Sequence, residues 1–85
     1  MATREQNERR FLEWEDLPDG GRRYVRRIAG RVSGYALCIK IVDSDENTVQ
    51  LVQEIYNEQG QLIGRHQKYP EDTGHEVIDP GGDEV

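Results

Sequence analysis

Apolar and polar residues alternate along most of the middle of this chain. In Tyr35–Val42, the side chains of Tyr35, Leu37, Ile39 and Ile41 share one face of an extended strand, and Cys38 and Lys40 lie opposite. A two-residue period is the mark of a strand with two distinct faces. Thr48–Tyr56 repeats it, with Val49, Leu51 and Ile55 on one face and Val52 and Tyr56 on the other. Leu62–Tyr69 is the next strand, and Pro70 ends it because proline has no N–H to give a ladder. Between these runs, Asp43-Ser44-Asp45-Glu46-Asn47 and Asn57-Glu58-Gln59-Gly60 are polar turns.

Upstream the pattern is shorter. Residues 11–17 place Leu12 and Trp14 on one face and Glu13 and Glu15 on the other. Pro18-Asp19-Gly20-Gly21 is a turn: proline fixes φ, aspartate bonds its own backbone and glycine accepts φ > 0. Arg22–Ala29 has a helical period, with Tyr24, Val25, Ile28 and Ala29 on one side. Eight residues between a Gly-Gly turn and Gly30 make a marginal helix, so a strand is expected. The fold class is therefore mainly β, a four- to five-stranded antiparallel meander, or α+β if Thr3-Arg4-Glu5-Gln6 caps a short N-terminal helix. The expected division is a flexible segment 1–10, one meander domain 11–70 and an acidic, partly disordered tail 71–85.

Composition adds two constraints. Of the 85 residues, 34% are hydrophobic and 33% charged, so the core is thin and a dimer through a sheet face or edge is expected to help it. Cys38 is the single cysteine, which excludes an internal disulfide and favours a reducing compartment, with the cytoplasm as default. The polar N-terminus is unlike a signal peptide, and no apolar run is long enough for a bilayer, so no membrane partner is expected.

The net charge of −6 is unevenly placed. Residues 1–69 hold 11 basic and 11 acidic side chains, while Glu71, Asp72, Glu76, Asp79, Asp83 and Glu84 lie beyond them with no base. Arg22, Arg23, Arg26, Arg27 and Arg31 crowd ten residues, with Tyr24 among them. Guanidinium groups grip carboxylates and phosphates in bidentate fashion, so this band is the candidate binding site. A partner protein, or a second copy, suits it better than nucleic acid, whose binders are usually basic as whole domains. The plain alternative is a solvated strand whose arginines pair with Glu13 and Glu15 across the hairpin.

The segment Gln53–Ile63, with His66-Gln67-Lys68-Tyr69-Pro70-Glu71-Asp72-Thr73-Gly74-His75 and Leu17-Pro18-Asp19-Gly20-Gly21-Arg22-Arg23-Tyr24, resembles a group of short uncharacterised bacterial proteins. The resemblance implies a prokaryotic origin and a two-gene setting of toxin–antitoxin type. It brings no established activity and no catalytic residues.

One cluster has the composition for chemistry. His66, Lys68, Tyr69, Asp72, His75 and Glu76 fall within eleven residues. Two histidines as acid and base, with a lysine to stabilise a developing phosphorane, would serve a metal-free ribonuclease. The same residues occur in any polar hairpin followed by a loop. The spacing of His66, Asp72, His75 and Glu76 matches no structural zinc pattern, so neither a metal nor a cofactor is expected. The preferred expectation is a small, acidic, non-enzymatic interaction or accessory domain. A nuclease using His66 and His75, and a nucleic-acid accessory protein using the arginine band, are the alternatives.

Overall fold

The computed structural model describes residues 2–30 and 34–78. One helix, α1 (Arg4–Arg10), precedes six strands: β1 (Glu13–Asp16), β2 (Arg22–Ala29), β3 (Tyr35–Val42), β4 (Thr48–Tyr56), β5 (Leu62–Tyr69) and β6 (Gly74–Val77). All pair antiparallel with their sequence neighbours, giving one sheet in the order β1-β2-β3-β4-β5-β6. The meander is as expected, but it has six strands rather than four or five. The added strand, β6, lies inside the stretch expected as an acidic tail. It pairs with β5 over Gly64↔Val77 to Gln67↔Gly74, so backbone pairing holds it where few apolar side chains would.

Residues 4–10, expected to fray, are helical. The Thr3 side chain accepts from the Gln6 N–H at 3.2 Å and the Gln6 side chain accepts from the Thr3 N–H at 2.9 Å, which completes the capping box. Seven residues are too few to hold a helix alone. The helix persists because its buried residue, Asn7, is tied to the sheet.

Three hairpin loops share one design. In 17–21, 43–47 and 57–61 the first N–H donates to the fifth carbonyl, and the fourth N–H donates to the first carbonyl. This geometry puts the fourth residue in the left-handed region: Gly20 at φ 90°, Glu46 at φ 67° and Gly60 at φ 81°. Glycine adopts that conformation at little cost, whereas a β-carbon makes it unfavourable by about 1–2 kcal/mol. Glu46 therefore stands where the chain elsewhere uses glycine. Gly21, next in the first loop, serves a different need. An added β-carbon there would lie 2.2 Å from the Val42 carbonyl oxygen, so the first loop and the end of β3 approach closely only because that carbon is missing.

The sheet has one covered face. Trp14, Arg22, Tyr24, Arg26, Ile28, Cys38 and Lys40 point to the side where α1 lies, as their mutual pairing requires. The core there is Phe11, Tyr24 and Val42, with Cys38 packed against it. The opposite face carries Arg23, Val25, Arg27, Leu37, Ile39 and Val52. Ile39 and Val52 are buried although no element of the described residues lies over them. Further along the same face, Arg27 stacks 4.1 Å over the Tyr35 ring, and Tyr35 stacks on Tyr56 at 5.0 Å.

Candidate functional site

A polar network fixes α1 to the sheet. The buried Glu46 carboxylate accepts from Arg4 Nε at 2.8 Å, from Asn7 Nδ2 at 2.9 Å and from the Tyr24 hydroxyl. Lys40 Nζ donates to Asn7 Oδ1 at 2.9 Å. Burial by itself would raise the Glu46 carboxyl, but the hydrogen bonds from Tyr24, Asn7 and Arg4 more than reverse this and hold it below its ordinary value. Burial, and then the bond to Glu46, push the Tyr24 hydroxyl up. Burial, and then the charge of Arg10, push the Lys40 ammonium down. Each buried polar group in this network thus has a partner, as a thin core demands.

Arg22 belongs to the same anchor. Its Nη1 donates to Glu8 Oε2 at 2.6 Å and its Nε to Asp16 Oδ1 at 2.7 Å. Its guanidinium lies 5.1 Å from the Trp14 ring centre. The arginine band therefore divides. Arg22 and the fully buried Tyr24 face the helix and are occupied in structure. Arg23 and Arg27 lie on the opposite face, and Arg26 lies on the helix side. Arg31 is outside the described residues. Of the expected cross-hairpin pairs, Glu15 is opposite Arg23 in register, but β1 engages the band by ion pair at Asp16–Arg22.

The band meets a break in the sheet edge. β1 pairs with Arg22–Val25 only, so residues 26–29 of β2 have no outer partner among the described residues. These four residues are all exposed. The direction of their peptide groups follows from the loops at either end. The Gly21 carbonyl points to β1, where it accepts from Leu17, and the Gly30 N–H points to β3, where it donates to Gly34. Strand residues alternate, so the peptide groups of Arg27 and Ala29 point outward at the open edge. A cleft of about 380 Å³ lies where β1 stops, lined by Arg9, Arg10, Arg26, Arg27 and Glu13, with Leu12 and Val25 as its apolar part. Among the described residues, Arg10, Arg26 and Arg27 form no ion pair. Leu12 is 82% exposed beside them.

The basic character continues across the helix side. A second cleft, of about 170 Å³, is lined by Arg10, Arg26 and Lys68 with Phe11, Cys38 and Leu51. Lys68, read from the sequence as a partner for His66, thus also stands beside the arginines. Arg9 and Arg10 were not singled out in the sequence. Their contribution depends on α1 folding back over β2, and nothing in the period of residues 1–10 signals that.

The histidines form a separate group. His66 is opposite His75 across β5 and β6, with ring centres 6.5 Å apart. His66 Nε2 lies 2.6 Å from Asp72 Oδ1, which also accepts from the Gly74 N–H at 2.9 Å. The bond from His66, then that from Gly74, hold the Asp72 carboxyl below its ordinary value. Proton exchange between His66 and Asp72 is geometrically open. However, the bonds to Asp72 also close the β5–β6 connection; Gln53 of β4 lies opposite His66 on one side, and β6 packs chiefly on β5. Tyr69 and Glu76 are exposed and join no bond to it. Among the described residues no cluster of three or more His, Cys, Asp or Glu is placed to hold a metal ion, and no helix is long and apolar enough to cross a membrane. No protein family, curated protein or solved structure matches this chain.

Proposed function

We propose that this chain is a non-enzymatic interaction domain that holds a partner protein at the arginine-lined open edge of β2. The observation carrying this reading is the coincidence of two features. Among the described residues no strand pairs with the outer edge of residues 26–29, and Arg9, Arg10, Arg26 and Arg27 converge on the cleft at the same point. An unpaired strand edge is a ready template for another chain unless it is blunted. A cluster of arginines selects for carboxylates on whatever docks there.

The nucleic-acid alternative is less well supported, because Tyr24, the one aromatic ring within the band, is fully buried and offers no stacking face. The setting proposed with this reading is the bacterial cytoplasm. It rests on the single cysteine and on the resemblance to short bacterial proteins of two-gene type.

The test is capture from nuclease-treated host lysate by the tagged chain and by an Arg26→Glu/Arg27→Glu variant. The expected result is a stoichiometric protein held by the parent chain and lost by the variant, whose circular dichroism is unchanged because both side chains are exposed. Equal capture by the variant contradicts the reading. Recovery of nucleic acid alone, lost at raised salt, transfers the band to the accessory-protein alternative.

A further inference from the structure

We infer that the partner enters as an extended acidic segment, added antiparallel to β2 as an extra strand in line with β1. This rests on the proposed function and specifies its chemistry. The outward peptide groups of Arg27 and Ala29 supply two N–H donors and two carbonyl acceptors at the open edge. A strand added there continues the line of β1, which already pairs with the same edge up to Val25. Main-chain bonds of this kind give affinity, and side-chain pockets on alternate faces give selectivity.

The charges fix the direction. β1 runs opposite to β2, with Glu13 across from Val25, so an added antiparallel strand ends at the cleft before Glu13. A parallel strand would begin there instead. The C-terminal end of a segment carries carbonyl oxygens, and a carboxylate if it is the chain end; the N-terminal end carries N–H groups. Arg9 is paired with Glu5, but Arg10, Arg26 and Arg27 still outnumber Glu13 at the cleft, which favours the C-terminal end.

The charges also fix the composition. Arg26 and Arg27 are adjacent, so their side chains lie on opposite sheet faces. The segment residues beside them are adjacent in turn, and both meet a guanidinium. Two consecutive acids near the end of the segment are therefore selected, one facing Arg26 with Arg10, the other facing Arg27. Ile28, 40% exposed on the helix side, and Ala29 present apolar or small surface to the preceding positions, where β-branched residues fit.

The probe is a hexapeptide of alternating threonine and valine ending in two glutamates, titrated into the full chain labelled with 15N. The expected result is displacement of the Arg27 and Ala29 amide resonances. Affinity should weaken about tenfold or more when the two glutamates become lysines, or in the Arg26→Glu/Arg27→Glu variant. N-methylation of the two alternate peptide amides that face β2 should abolish binding, and N-methylation of the amide between them should not. Ala29→Pro, which removes one outward N–H at an edge where proline is tolerated, should weaken binding in the same way. If that variant fails to fold, the N-methylated peptides carry the test alone. Binding that depends on Arg26 and Arg27 but ignores N-methylation overturns strand addition and leaves the proposed function standing. Binding indifferent to both overturns both. Displacement of the same amides by protein concentration alone, with no peptide present, assigns the edge to a second copy and overturns the acidic-segment assignment.

Discussion

Glu46→Ala should lower the stability of the fold by about 3 kcal/mol, the range for removing one member of a buried, hydrogen-bonded charge cluster. The substitution leaves the Asn7 amide and the Tyr24 hydroxyl without an acceptor, and each unsatisfied buried donor costs about 1–3 kcal/mol. It also loosens α1 by removing its ties to Glu46 through Arg4 and Asn7, leaving the Glu8–Arg22 and Asn7–Lys40 bonds to hold the helix to the sheet. A domain of this size has about 5 kcal/mol in total, so the variant should unfold at much lower urea concentration. The acid limb should change with it. The folded Glu46 carboxyl titrates below its ordinary value of 4.5, so its contribution is complete above pH 4.5. That contribution is lost as pH falls through the lowered value. Asp43 and Asp72, both lowered from 3.8, act in the same direction at slightly lower pH. Glu46→Gln should therefore flatten the loss of stability below pH 4.5 relative to the parent chain. An unchanged acid limb, measured by urea titration at several pH values, contradicts the role given to this carboxylate.

Tyr24→Ala should be as damaging, at about 3–5 kcal/mol for an emptied aromatic site. Its ring is wholly buried between Phe11, 5.6 Å away, and Trp14, 6.2 Å away. Tyr24→Phe keeps the ring and loses only the bond to Glu46, so it should cost about 1–2 kcal/mol. The two substitutions thus separate packing from hydrogen bonding. The hydroxyl predicts an alkaline limb as well. Its folded value is raised above 10.0, so its contribution is complete below pH 10 and is lost as pH rises through the raised value. Tyr56, pushed up to about 12 by burial and by its bond to Glu54, adds to the same limb. Tyr24→Phe should reduce the alkaline loss. If Tyr24→Phe is as destabilising as Tyr24→Ala, the ring packing is not what holds the helix side together.

The contrast between these two residues shows what the sequence made legible. The central strands β3 and β4 follow directly from period-two alternation, because each has one face richer in apolar side chains, whereas β5 was bounded by the turn at 57–60 and by Pro70. β2 required a choice, since its arginines gave it a helical period, and the length between flanking glycines decided it correctly. β6 was not visible, because Gly-His-Glu-Val has neither alternation nor a hydrophobic face and is held by pairing with β5.

Long-range polar contacts were the least legible part. Glu46 looked like an ordinary turn acid, and Asn7 sat in a segment with no period. Their meeting spans 39 positions. One signal was present. Loops 17–21 and 57–61 have glycine at the fourth position, and loop 43–47 has glutamate there. A residue kept in the left-handed conformation against its own steric preference is generally held by something outside its loop. In the candidate site, the arginine cluster of β2 was evident, but its division was not. Period two separates Arg22 and Arg26 from Arg23 and Arg27, and only the path of α1 makes Arg22 structural while leaving Arg26 at the edge.

The central claim is that the open edge of β2, rather than the uncovered sheet face or the histidine hairpin, is where a partner is held. Hydrogen exchange of the chain alone and in complex with its captured partner tests it most directly. The account predicts new protection of the Arg27 and Ala29 amides, with β5 and β6 unchanged. Protection confined to residues 62–77, with 26–29 exchanging as in the free chain, would contradict it.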